Sequence, residues 1–242
     1  VPLVATQNAH NFVNLKQTEY IIGERIAHHS FNTQGAKMHW TTKVSPLIKD
    51  IELKHSPVMI RVNEFTEDSA AEFAAKMGVA QNTGQPIIPV IIDSYGGQVY
   101  SLMSMISAIK NSGVPVATIV EGKAMSCGVI LAACGAKGYR YISEDATLMI
   151  HDVSSGAYGK NSEIQASADE TARLNKKIYE ILAENSDKSF KWFQEQILER
   201  GRADWFVEPE KAISIGICDK IGIPTLDIDV SVNIKFVEPN TK

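Results

Sequence analysis

From Pro57 onward the chain alternates between two kinds of apolar run. Short, near-continuous runs rich in β-branched residues read as strands: Val58-Met59-Ile60-Arg61-Val62, Ile87-Ile88-Pro89-Val90-Ile91-Ile92-Asp93 and Val116-Ala117-Thr118-Ile119-Val120. Such runs suit strands covered on both faces, as in a parallel sheet. Between them apolar residues recur three or four apart, the spacing of one helix face. Thr66 caps the first such segment, with Glu67 and Asp68 in its opening turn, Phe73, Ala74 and Met77 on its inner face, and Asn82-Thr83-Gly84 at its end. Val99, Leu102, Met103, Ile106 and Ile109 form the stripe of the second, which Gly113 stops. The order strand–helix–strand–helix–strand–helix predicts an α/β layout with a parallel sheet.

Further along, Tyr139-Arg140-Tyr141-Ile142 and Thr147-Leu148-Met149-Ile150-His151 read as two short strands, with His151 closing the second. A long amphipathic helix is expected from about Asn161 to Asn185, its narrow stripe made by Ile164, Ala168, Thr171, Asn175, Ile178 and Leu182. A helix so long and so narrowly striped is expected to pack against a neighbouring subunit. Phe190, Phe193 and Ile197 mark another helix, ended by Gly201. Asp204 then stands in a loop before a last short helix, which Pro209 opens and Gly216 closes. Residues 225–242 alternate in part (Leu226, Ile228, Val230, Val232, Ile234) as a strand would. Residues 1–56 are polar and weakly periodic, with a short helix expected at Val44–Ile51. The division expected is an N-terminal appendage or interaction segment (1–56), a main domain (57–223) and a C-terminal tail (224–242).

One turn stands out. After the strand at 116–120 come Glu121-Gly122-Lys123-Ala124-Met125-Ser126-Cys127-Gly128, a small-residue segment expected to bend into a helix ending at Gly135. A serine at a strand-to-helix turn has its hydroxyl beside free N–H groups and the positive end of the helix dipole. Met125 and Cys127 flank it, so it is not a literal G-x-S-x-G. Taken by itself the window reads first as a packing turn, because small-residue strand-to-helix turns are common packing devices.

Composition narrows the classes. Net charge is −4, which favours neither nucleic acid nor an anionic membrane as partner. No apolar run approaches the roughly 20 residues that span a bilayer. Val1-Pro2-Leu3-Val4-Ala5 has no basic region followed by an apolar core, so no secretory signal is expected there, and the missing Met points to a trimmed end. The three cysteines, Cys127, Cys134 and Cys218, lie among apolar residues, as buried thiols of a reducing, cytoplasmic compartment do. No Cys/His spacing suggests a metal site, and no cofactor is expected. His10, His28, His29, His39 and His55 read as surface or loop histidines.

Three residues could share one piece of chemistry: Ser126 at a turn, His151 at a strand end and Asp204 in a loop. A serine hydroxyl needs a base within reach, and the base needs an orienting carboxylate. Spacing does not place the three together, and each also has a structural reading as packed residue, strand end or helix cap.

The windows around them are more specific. Ile92-Asp93-Ser94-Tyr95-Gly96-Gly97, Lys123-Ala124-Met125-Ser126-Cys127-Gly128 with Gly135-Ala136-Lys137-Gly138-Tyr139-Arg140, Leu148-Met149-Ile150-His151, and Arg202-Ala203-Asp204-Trp205-Phe206 followed by Glu210-Lys211-Ala212 and Gly216 resemble, in order, four motifs of ClpP, the Clp protease proteolytic subunit (peptidase family S14). The resemblance runs from about residue 57 to 223. It implies a ClpP/crotonase-like α/β fold of repeated ββα units with a long protruding handle helix. It implies a serine endopeptidase of ATP-dependent proteolysis that cuts unfolded polypeptides to short peptides. Ser126 would attack, His151 would act as base and acid, and Asp204 would hold the imidazole. The N–H groups of Gly96 and Cys127 would form the oxyanion hole. Gly97 would contact substrate, and Asp152, Val153 and Ser154 would offer a strand edge to an extended peptide. The assembly implied is a homo-oligomer of two stacked heptameric rings, a tetradecamer, served by a separate AAA+ unfoldase.

The sequence departs from that pattern at Tyr95, where the family most often has proline, at Cys127, where it usually has methionine, and at Ser154 and Ser155, where glycines are common. Residues 1–56 do not resemble the family's N-terminal segment. The divergence suits a phage-encoded or specialised member. Two rivals stand beside the main reading: another crotonase-fold serine protease (signal-peptide-peptidase-like or prohead-type) with Lys123 or another lysine as base, and a non-catalytic ClpP-like ring subunit.

Overall fold

The computed structural model describes residues 4–8, 25–28, 39–42, 51–52, 56–225 and 229–233. The chain divides into two compact units, Pro57–Ile223 and a second made of Val1–Ser56 with Pro224–Lys242. In chain order the elements are β1 (Val4–Asn8), β2 (Arg25–His28), β3 (His39–Thr42), β4 (Ile51–Glu52), β5 (Ile60–Val62), α1 (Glu67–Gln81), β6 (Ile88–Ser94), α2 (Val99–Lys110), β7 (Val116–Met125), α3 (Cys127–Ala133), β8 (Arg140–Ile142), β9 (Thr147–Ile150), α4 (Asn161–Glu184), α5 (Phe190–Glu199), β10 (Trp205–Val207), α6 (Pro209–Ser214), β11 (Lys220–Ile221) and β12 (Asp229–Asn233).

In the unit 57–223 a seven-stranded sheet runs β10-β9-β7-β6-β5, with β8 beside β7 and β11 beside β8. Its pairings are parallel except for β9 with β10. This is the expected α/β arrangement with a mostly parallel sheet. The apolar strand runs supply its centre: Val90, Ile92, Val120 and Leu148 are fully buried. Helix α1 follows from its sequence. The Thr66 side chain accepts the Ser69 N–H at 3.1 Å while Ser69 Oγ accepts the Thr66 N–H at 2.9 Å, a reciprocal cap worth about 1 kcal/mol. Its buried face is Ala70, Phe73, Met77 and Ala80. Ala74, expected on that face, is exposed, because one residue past Phe73 turns about 100° round the helix.

Strand β7 is the axis of the unit and runs five residues beyond the apolar stretch that predicted it. The reason lies in its neighbours. Thr118–Val120 pair with β8, and Lys123–Met125 pair with β9, so two short strands lie end to end along one long one. Against β6, Ile92 faces Val120 but Ser94 faces Ala124, so extra residues bulge out at 121–123. The serine turn therefore begins only after Met125, and Gly122 and Ala124 belong to the strand. Asp204 also differs from expectation: β10 intervenes between it and the final helix.

The long helix α4 forms as expected over 24 residues. Its buried residues, Leu174, Ile178, Tyr179, Ile181 and Leu182, all lie in its second half. Ile164 and Ala168, expected on the apolar stripe, are exposed within this chain.

In the second unit, β1 pairs antiparallel with β12, with Val4 opposite Asn233, and β2, β3 and β4 form an antiparallel meander. The partial alternation of the tail thus becomes a strand at Asp229–Asn233. The short helix expected at 44–51 lies outside the described residues except for Ile51, which is in β4.

Candidate active site

The site gathers where β6, β7 and β9 end. Ser126 sits between the last residue of β7 and the first of α3, with φ 54° and ψ −117°. A residue other than glycine enters this region at a cost of about 1–3 kcal/mol. The turn is fixed to its neighbour strand: the Ser126 N–H donates to the Met149 carbonyl at 2.9 Å, and Met125 pairs with Met149. His151 is the second residue after Met149, so serine and histidine leave adjacent parallel strands at the same edge.

Asp204 reaches the same place from the other side. Trp205 pairs antiparallel with Ile150, so the residue before one and the residue after the other are neighbours. Asp204 Oδ1 lies 3.3 Å from His151 Nδ1. The imidazole is partly sheltered and the carboxylate is half exposed. Among the described residues no hydrogen bond joins Ser126 Oγ to His151. The structure therefore pairs His151 with Asp204 and ties the Ser126 turn to the strand that His151 follows.

The 94–97 turn presses against the serine. Gly96 has φ +106°, and a Cβ there would lie 2.8 Å from Ser126 Cβ and 3.0 Å from the Met125 carbonyl oxygen. Only glycine fits. Its N–H, the expected oxyanion donor, donates to Ser94 Oγ at 3.0 Å. The next N–H, that of Gly97, makes no hydrogen bond to a backbone carbonyl among the described residues and lies on the side of the Cys127 sulfur. Gly97 itself is required by close packing, since a Cβ would lie 2.6 Å from the Phe65 carbonyl oxygen. Cys127 opens α3, so its N–H has no partner within the helix. Its buried thiol donates to the Gly97 carbonyl at 3.2 Å. Burial pushes this thiol up, against hydrogen bonds donated to the sulfur by the Gly97 backbone and the Ser126 side chain, so it stays protonated near neutral pH.

Lys123, the alternative base, is engaged elsewhere. Its Nζ lies 2.8 Å from Asp93 Oδ1 and 4.4 Å from the centre of the Tyr95 ring. The Asp93 hydrogen bond raises its pKa and holds it as an ammonium ion, which cannot accept a proton.

Asp152, Val153 and Ser154 do not form a strand in this chain. The Asp152 side chain is a structural node: Oδ1 accepts Asn175 Nδ2 and Tyr179 Oη, each at 2.9 Å, and Oδ2 accepts Arg202 Nη1 at 2.8 Å. Burial pushes this carboxyl up, but the three hydrogen bonds outweigh it and hold it below the ordinary range. Val153 N–H donates to Asn175 Oδ1 at 2.9 Å. Beyond it Ser154 and Ser155 are exposed. Asn175, Tyr179, Arg202 and Ser94 were not singled out as site residues by the sequence. Two left signals: Asn175 interrupts an apolar stripe, and Ser94 stands two residues before a glycine, the spacing of a serine turn. Among the described residues no group of three or more His, Cys, Asp or Glu side chains is arranged to hold a metal, and no helix is long and apolar enough to cross a membrane.

Comparison with known proteins converges on one family. The profile for Clp protease matches residues 45–224. Among similar proteins are the ATP-dependent Clp protease proteolytic subunits 2 of Chlamydia trachomatis serovars D and A, each 35% identical over 134 residues, 55% of this chain and 64% of theirs. The ATP-dependent Clp protease proteolytic subunit 1 of Chlamydia felis is 34% identical over 170 residues, 70% of this chain and 81% of its own. The chain thus spans somewhat under two-thirds of the length of the two C. trachomatis relatives.

Proposed function

The chain belongs to the Clp protease family, and from that premise we propose that it is a serine endopeptidase in which Ser126, His151 and Asp204 form the catalytic triad and residues 57–223 are the protease domain. The observation that carries the reading is the approach of Asp204 Oδ1 to His151 Nδ1 at 3.3 Å, beside a serine turn bonded to the same strand at 2.9 Å.

The chemistry follows from those positions. Ser126 Oγ attacks the scissile carbonyl while the outer nitrogen of His151 takes its proton. Asp204, at the inner nitrogen, fixes the tautomer and stabilises the imidazolium that forms. The imidazolium then protonates the leaving amine, and water repeats the sequence on the acyl-enzyme. The charge that develops on the carbonyl oxygen meets the N–H groups of Cys127 and Gly97. Gly96 N–H joins them only if its bond to Ser94 gives way; its fixed role is to let the backbone lie against Ser126. The open main chain from Ser154 onward is the edge to which an extended peptide adds.

By membership of the family, the substrate is unfolded polypeptide. The working form is a homo-oligomeric ring, with two stacked heptamers as the arrangement to test, and ATP is hydrolysed by a separate AAA+ unfoldase. Fluorophosphonate labelling of wild type, Ser126→Ala and His151→Ala, with sizing of the native particle, tests the reading. Label on wild type, none on Ser126→Ala and a ring-sized particle are expected. An unlabelled wild type leaves the non-catalytic ring subunit in its place.

A further inference from the structure

We infer that the Cys127 side chain is a positioning residue of the oxyanion site: its S–H, donating to the Gly97 carbonyl at 3.2 Å, fixes the direction in which the Gly97 N–H points. The inference rests on the serine-protease reading above. Cys127 would then serve the site twice, through its own backbone N–H and through its hold on the residue that supplies the second donor.

The turn around Gly97 is held from outside because it cannot hold itself. Gly97 has φ +150°, a conformation that glycine reaches freely and leaves freely. The peptide after it is tied at both ends: Gln98 N–H donates to the Phe65 carbonyl at 2.8 Å, and the Gly97 carbonyl receives the Cys127 thiol. Before it, Gly96 N–H is tied to Ser94 Oγ. The peptide between Gly96 and Gly97 carries the Gly97 N–H, which no backbone carbonyl among the described residues accepts, and its plane is set by these flanking ties. The Cys127 tie alone comes from the helix that Ser126 precedes, so it alone links the Gly97 donor to the nucleophile's own element. Cys127 is 3% exposed, so water does not replace this contact. A thioether at this position, the residue usual in the family the sequence resembles, has no hydrogen to donate. The tie is therefore a property of this chain. An S–H group is a weak donor, so the effect expected is a loss of alignment and not of chemistry.

The test is steady-state hydrolysis of a fluorogenic peptide by the assembled full chain, with a peptide aldehyde as probe of the tetrahedral state. Cys127→Ala and Cys127→Val should lower kcat by about tenfold with KM changed by less than about twofold, and aldehyde affinity should fall in step with kcat. Cys127→Ser, which keeps a donor, should recover most of the loss. Wild-type kcat in Cys127→Ala, a loss in Cys127→Ser as deep as in Cys127→Val, or a rise in KM at constant kcat would each overturn the inference. Should Cys127→Ala fail to assemble, the ratio of kcat between the serine and valine variants decides. Fluorophosphonate labelling of wild type separates the two levels: no label brings down the protease reading itself, whereas normal label with insensitive Cys127 variants brings down only the positioning role.

Discussion

The Gly96 backbone lies so close to the Ser126 side chain that nothing fits between them: a Cβ on Gly96 would meet Ser126 Cβ at 2.8 Å. Gly96→Ala must therefore displace the nucleophile turn, and φ +106° adds strain of its own. The expected result is a fall in fluorophosphonate labelling rate of about 100-fold, the scale on which a misplacement of about 1 Å acts. Labelling kinetics at matched particle size check it.

Asp204 owes its position to a three-residue strand. Because Trp205 pairs with Ile150, moving β10 moves the carboxylate away from His151. Asp204→Ala should cost on the order of 10⁴ in kcat, with the assembled particle intact since the side chain is half exposed. Asp204→Asn should cost about as much, because an amide sustains the wrong tautomer. A loss below tenfold in both would remove Asp204 from the triad.

Lys123 separates the two protease readings. Held by Asp93 and stacked on Tyr95, it is already an ammonium ion. Lys123→Ala is expected to label at a rate within about threefold of wild type, whereas a Ser–Lys enzyme would lose its base and its activity. His151→Ala should do the reverse. The two variants side by side give opposite patterns under the two mechanisms.

Arg140 and Asp219 form a sheltered ion pair that joins β8 to the segment after α6. Arg140 Nε donates to Asp219 Oδ2 at 2.9 Å, and the Gly138 N–H reaches the same oxygen at 2.7 Å. Burial pushes the Asp219 carboxyl up, but Arg140 and the backbone donors outweigh it and hold it below the ordinary range. A depressed carboxylate contributes stability that is complete above its unfolded value, near pH 4, and is lost as pH falls through its folded value. Asp219→Ala should cost about 3 kcal/mol at pH 7, since Arg140 is left buried and unpaired. The gap in melting temperature between wild type and variant should hold from pH 7 to about 5 and narrow below about 4. Thermal melts across that range check it.

What the sequence made legible follows from the range of the interaction concerned. Helix α1 is readable because its cap and its stripe are local, although Ala74 lies just outside the buried face. The order of strands and helices was readable for the same reason. Strand β7 reads shorter in the sequence than it is because Glu121, Gly122 and Lys123 break its apolar run, and nothing local shows that a second partner strand waits beyond the break. Strand β10 is too short for its period to be seen. The node at Asp152 joins residues 23 to 50 positions apart, and no spacing rule links them. Ser94 lies within the Ser-x-Gly-Gly motif, yet its claim on the Gly96 N–H shows only once the turn is folded.

The backbone at Ser126 carries a further consequence. At φ 54° and ψ −117° the residue occupies ground that glycine holds without strain. Ser126→Gly should melt higher than wild type, by an amount that reflects up to about 1–3 kcal/mol of released strain, offset by glycine's greater freedom when unfolded, while losing all label. Differential scanning of the two forms checks it, and a glycine variant no more stable than Ser126→Ala would show that the turn is relaxed. Selection for heat resistance alone would erase the hydroxyl here. The hydroxyl that the proposed nucleophile needs thus stands where the backbone is least at ease, so the proposed reactivity and thermal durability pull in opposite directions at this one residue.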